Sequence, residues 1–132
     1  MKSNARVALI GTGGTITSVG RHSLDMQDYP ITNQRMHPDE MLEKFTEAAA
    51  QAHVIPLRYR AIPSPEVGPA DWRALVETIE QAARDDQDLT GFVILHGTAT
   101  LEETAYALNL LLKVDQPVVI VGSQRPASGL SS

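Results

Sequence analysis

Two short turns in this chain carry hydroxyls in settings where hydroxyls can do chemistry. The first is Gly11-Thr12-Gly13-Gly14-Thr15-Ile16 and the second is His96-Gly97-Thr98-Ala99-Thr100. Each follows an apolar run, Val7–Ile10 or Phe92–Leu95, that reads as a strand buried on both faces. In a parallel sheet, the turns leaving the carboxyl ends of the strands gather along one edge, where α/β proteins bind ligands. Thr15 and Thr98 are therefore candidates to share one pocket. The chemistry on offer is nucleophilic attack by a threonine oxygen, which requires a neighbour to take the proton. A third hydroxyl, Tyr29, sits in the long breaker-rich stretch between Thr17 and Met36, the kind of loop that serves as a lid or binding segment.

The glycine turn has competing explanations. A dinucleotide fingerprint needs a third glycine three positions after the second, where this chain has Ile16, and no helical pattern follows. A phosphate-binding P-loop fails because no Gly-Lys-Ser/Thr follows. A plain tight strand exit permitted by Gly13 and Gly14 remains open on this motif alone.

The elements that must position these turns alternate along the chain. Proline and acids at Pro38-Asp39-Glu40 open a first helix, with Met41, Leu42, Phe45 and Ala49 at helical spacing to about Gln51. Val54, Ile55, Leu57 and Tyr59 form a second strand whose Pro56 calls for an edge position or the strand's start. Ile62–Pro69 is too rich in proline for regular structure and forms another loop at the same sheet edge. A second helix carries Asp71, Trp72, Leu75, Val76 and Ile79, with Trp72 expected to pack into the core. A third begins at Leu101-Glu102-Glu103, and Pro117–Val121 is a fourth strand. The order β, loop, α, β, α, β, α, β predicts an α/β fold with a parallel sheet and helices on its faces.

Composition narrows the function classes. The 132 residues suffice for one domain with a core, and 42% hydrophobic against 20% charged residues is ordinary for a globular protein. Sixteen acidic and eleven basic residues give a net charge of −5 without a basic block, so nucleic acid is not an expected partner. Cysteine is absent, which excludes disulfides and thiolate metal sites. His22, His37 and His53 have no ligand spacing with acidic residues, so no metal is expected. His96 is expected to shape its turn rather than act as a base. The first apolar run is too short for a signal peptide's centre or a membrane span, so no membrane partner and a cytoplasmic setting are expected.

Three ordered motifs carry a resemblance. Thr-Gly-Gly-Thr-Ile at Thr12–Ile16, His-Gly-Thr-x-Thr-x-Glu-Glu-Thr-Ala at His96–Ala105 and Gly-Ser-Gln-Arg-Pro at Gly122–Pro126 are together similar to the N-terminal domain of bacterial-type L-asparaginases and glutaminase-asparaginases. The resemblance covers nearly the whole chain. It implies a three-layer α/β sandwich around a parallel sheet, flavodoxin- or Rossmann-like, with residues 1–132 forming the N-terminal domain alone, truncated before a C-terminal one. It also implies a homo-oligomer, no cofactor, and asparagine or glutamine as small-molecule substrate.

By the same resemblance, Thr15 is the nucleophile that forms an acyl-enzyme, Tyr29 assists its deprotonation, and Thr98 positions water or stabilises the oxyanion. Ser64 holds the substrate's α-carboxylate, while Gly14 and Gly97 line the substrate site. The chain departs from the pattern at Ala99, where the family carries an aspartate that binds the substrate's α-ammonium and joins a threonine-lysine-aspartate triad. A methyl group does neither. The triad lysine is not assignable either, since the only lysine after Thr98 is Lys113. The expectation is an asparagine amidohydrolase of weak activity, with a catalytically impaired amino-acid-binding or regulatory module as the alternative.

Overall fold

The structure is a computed structural model that describes residues 5–130. The terminal Ser131-Ser132, expected to close the chain in a loop, and the start of the chain at Met1–Asn4 lie outside the described residues.

Four strands form one sheet: β1 (Arg6–Gly13), β2 (His53–Ile62), β3 (Gly91–Leu95) and β4 (Val118–Val121). All pairings are parallel and the spatial order is β2-β1-β3-β4. The strand order reverses direction between β1 and β3, so the carboxyl ends of these two strands flank a switch point, the usual place for a ligand crevice. Pro56 sits in register with Leu9 on the edge strand β2, as a residue without an N–H requires.

Side-chain alternation along the strands feeds two cores. Ala8, Ile10, Phe92 and Ile94 are buried with Leu75 and Ile79 of α4 (Pro69–Asp85) and Leu108 of α5 (Leu101–Leu111). Leu95, with Leu9 and Val121 packed around it, meets Met41 of α2 (Pro38–Lys44) and Ala127. Helices thus cover both faces and the α/β sandwich follows.

Three sequence expectations need correcting. The first helix is not continuous to Gln51. It leaves helical geometry at Phe45 (φ −112°, ψ 71°), where the ring packs into the core around Met41 and Leu95. The following α3 (Thr46–Gln51) buries no residue, so packing does not hold it in line with α2. The proline-rich stretch contains a single 3₁₀ turn at Ser64–Glu66, with Ile62 ending β2 and Pro69 opening α4 at the position where proline's missing N–H costs least. The long loop holds one helical turn, α1 (Tyr29–Thr32), which begins with Tyr29 itself.

Candidate functional site

The site begins with two glycines that bring separate turns into backbone contact. Gly13 (φ +102°) and Gly14 (φ +83°, ψ −179°) adopt conformations that residues with a Cβ rarely enter. A Cβ on Gly14 would lie 2.3 Å from both Cα and N of Gly97, and one on Gly97 would lie 2.6 Å from Cβ of Ser64. The turns after β1 and β3, and the Ser64 turn after β2, are therefore stacked too closely for any side chain between them. Thr12, buried inside the first turn, donates its hydroxyl to Leu95 O at 3.0 Å and ties β1 to β3.

Gly14 also anchors the turn that presents Thr15. Its N–H donates to Ile62 O at 3.1 Å, while its carbonyl accepts from Thr17 N–H, the Thr17 hydroxyl and the Ser18 hydroxyl. Thr15, half-buried, is left with its hydroxyl 3.0 Å from the hydroxyl of Tyr29. The loop bearing Tyr29 is braced at several points. The buried Asp25 accepts N–H groups of Arg21 and Asp28, and these hold its carboxyl below the usual carboxylate range, the Arg21 bond contributing most. The segment after β4 closes over the loop, with Ala127 N–H on Ser18 O, Gly20 N–H on Ser128 Oγ and Leu130 N–H on Ser23 O.

Ser64 is buried at the bottom of its turn and bridges to the second threonine turn. Its Oγ accepts the Ala99 N–H at 3.2 Å and its carbonyl accepts the Thr100 hydroxyl at 2.7 Å. A serine hydroxyl carries one proton and two lone pairs, so with the oxygen accepting from Ala99 the proton remains available to a ligand. Thr98 and Ala99 are exposed, and the Thr98 hydroxyl has no hydrogen-bond partner among the described residues.

All seven residues singled out from the sequence, Gly14, Thr15, Tyr29, Ser64, Gly97, Thr98 and Ala99, line one cavity of about 210 Å³. Five others on its wall were not singled out as site residues: Ser18, Pro30, Arg35, Pro63 and Pro65. Arg35 is the one charged residue among them, and no local sequence pattern marks it. A larger cavity of about 750 Å³ lies between α4 and the edge strand, but its one hydroxyl, Thr78, is bonded to Ala74 O. The smaller cavity holds the convergent hydroxyls and is the candidate site.

Behind the site runs a directional hydrogen-bond chain that the sequence did not reveal. The Trp72 indole N–H donates to the Thr104 hydroxyl (3.0 Å), which is 2.9 Å from His96 Nε2, while His96 Nδ1 is 2.7 Å from Gly97 O. A carbonyl only accepts, so Nδ1 carries the proton; with the ring neutral, as its burial favours, Nε2 accepts from Thr104. Burial pushes the His96 imidazole below its usual value, outweighing the Gly97 carbonyl and Glu103. His96 shapes the turn, as expected, and Trp72 is half-buried with a polar role beyond packing.

Similarity to known proteins now has a geometry to attach to. The family model for the asparaginase N-terminal region matches residues 6–132. The chain belongs to the asparaginase family. A glutaminase-asparaginase of Pseudomonas fluorescens is 34% identical over 128 residues, covering 97% of this chain and 34% of that protein. L-asparaginase 2 of Bacillus subtilis is 33% identical over 131 residues, covering 99% of the chain and 34% of the relative. A structure described as a probable cytoplasmic L-asparaginase of Campylobacter jejuni superposes with a TM-score of 0.84 at 31% identity, over 97% of this chain and 37% of that one. The chain thus spans about a third of the length of the asparaginase-family relatives it matches. Relatives include one described as periplasmic, from Haemophilus influenzae. Among the described residues no helix is long and apolar enough to cross a membrane.

Proposed function

We propose that this chain carries the nucleophile of an amidohydrolase that releases ammonia from the side-chain amide of asparagine-class substrates through an acyl-enzyme on Thr15. The observation that carries the reading is the 3.0 Å contact between the Thr15 and Tyr29 hydroxyls in a cavity where three strand-end turns meet.

The steps follow from these groups. Thr15 Oγ attacks the amide carbon as its proton passes to the Tyr29 oxygen, and Tyr29 delivers its own proton to the departing nitrogen, so the C–N bond breaks and neutral ammonia leaves. Water then attacks the ester, gives a proton back through the same pair to Thr15, and frees the acid. The Thr98 hydroxyl, unengaged by protein, meets the oxyanion or the attacking water. The Ser64 proton is available to the substrate carboxylate, while Gly14 and Gly97 let the turns that carry Thr15, Ser64 and Thr98 pack against one another. Every step uses hydroxyl chemistry supplied by the chain and calls for no cofactor.

The relatives are an L-asparaginase and a glutaminase-asparaginase, which makes asparagine and glutamine the amides to test. Ala99 supports slow turnover of asparagine, because the cavity wall offers no anion to its ammonium. It also favours a second reading, a binding module without turnover. Ammonia release with and without Thr15→Ala separates the two. Hydrolysis in the parent chain, abolished in Thr15→Ala with ligand binding retained, supports the hydrolase; ammonia release that persists in Thr15→Ala contradicts it.

A further inference from the structure

The cavity is electrostatically one-sided. No Asp or Glu lines it among the described residues, and its one formal charge is the Arg35 guanidinium. Arg35 Nη1 donates to Asn33 Oδ1 at 2.7 Å, yet Nε is buried without an acceptor, and Arg35 joins no ion pair among the described residues. A buried donor on a cation with no protein partner is uncommon, and the same side chain lines the cavity. Its backbone is fixed rather than loose. Ser18 and Arg35 face each other in an antiparallel bridge, with Met36 N–H on Thr17 O at 2.8 Å and Val19 N–H on Gln34 O at 2.9 Å. The Arg35 backbone is thus paired to the segment that directly follows Thr15.

An amino-acid amide brings two charges to this cavity, a carboxylate and an ammonium. The carboxylate finds Arg35 and the Ser64 hydroxyl. The ammonium finds a methyl at Ala99 and, among the described lining residues, a cation and no anion, so its desolvation is uncompensated and its charge repelled. A substrate without the ammonium avoids both penalties and keeps every favourable contact.

We propose that the site takes monoamides of short dicarboxylic acids whose α-carbon bears no free ammonium, and that Arg35 determines this specificity by binding the carboxylate. The proposal rests on the hydrolase reading above for its reactive centre. Ala99 then matches the site to its substrate instead of impairing it.

The test compares asparagine with succinamate, the same molecule with hydrogen in place of the ammonium, using the full chain. Succinamate should show kcat/KM at least about tenfold higher, the scale of one uncompensated buried charge. Arg35→Gln should raise KM for succinamate by about tenfold or more with kcat little changed, Arg35→Lys should fall between, and Ala99→Asp should shift preference toward asparagine. The lysine variant preserves the measurement if the glutamine variant fails to fold. Asparagine hydrolysed as well as succinamate, or a KM indifferent to Arg35, overturns the proposal. If neither compound yields ammonia, the hydrolase reading fails and thermal shift decides specificity by itself. Greater stabilisation by succinamate than by asparagine supports the proposal, and equal, reversed or absent shifts reject it.

Discussion

Replacing Gly14 by alanine perturbs the contact on which the whole site depends. Two costs are expected, and both can be sized. Gly14 occupies φ +83°, ψ −179°, a region where a residue with a Cβ pays about 1–3 kcal/mol. The new methyl would also lie 2.3 Å from backbone atoms of Gly97, which no rotamer change relieves, and such overpacking costs about 1–3 kcal/mol. Together these remove about 2–6 kcal/mol from a chain whose length suggests a total of roughly 7–20 kcal/mol. The melting temperature should fall by roughly 6–25 °C, with a matching drop in the urea midpoint. Relief of the clash separates the Thr15 and Thr98 turns by on the order of 1 Å, enough to lower amide hydrolysis about a hundredfold in whatever fraction stays folded. Gly68→Ala is the control, because Gly68 has extended backbone and its Cβ would meet nothing within 4 Å, so stability should change by less than about 1 kcal/mol. Circular dichroism melts of the three proteins decide the matter. A Gly14→Ala protein as stable as its parent would refute the close stacking of the two turns.

Three further outcomes are expected. Tyr29→Phe should lower kcat by about a hundredfold or more while leaving the melting temperature nearly unchanged, since among the described residues the lost hydroxyl is bonded only to Thr15; steady-state ammonia release and a melt taken together check this. Thr104→Val keeps the shape but strands the Trp72 N–H and His96 Nε2, which should cost about 2–4 kcal/mol in denaturant unfolding. For pH, the folded-state pKa of His96 lies below its ordinary 6.5, so the unfolded chain binds its proton more readily. Its contribution is complete above about pH 6.5 and declines as pH falls toward the folded value, so melts from pH 7 to pH 5 should show a decline that His96→Asn flattens.

Three strands were legible because each is an apolar run stopped by glycine or preceded by proline, and β2 was legible from Val54, Ile55, Leu57 and Tyr59 despite its internal Pro56. Val7–Ile10 and Phe92–Leu95 cannot be buried on both faces except in the middle of a parallel sheet. The threonine turns were legible as candidates for the same reason. Which turns touch was not legible. The contact between Gly14 and Gly97 depends on β1 and β3 being neighbours, a pairing of residues more than eighty positions apart that no local pattern encodes. The Trp72–Thr104–His96 chain joins α4, α5 and the turn after β3, and each member taken alone reads as ordinary core or turn chemistry. Phe45 ends α2 without a glycine or proline to announce it, because the ring's place in the core outweighs a helix that buries nothing beyond it. Arg35 was missed because an arginine in a breaker-rich loop has no period to betray it. Its position follows from the bridge with Ser18.

The nucleophilic role of Thr15 is most directly accessible to peptide mass spectrometry on the chain quenched in acid during turnover of a saturating amide. An acyl increment on the peptide containing Thr15, absent in Thr15→Ala, is the predicted result. Ammonia released with no increment there, or with the acyl group on Thr98 instead, would contradict it.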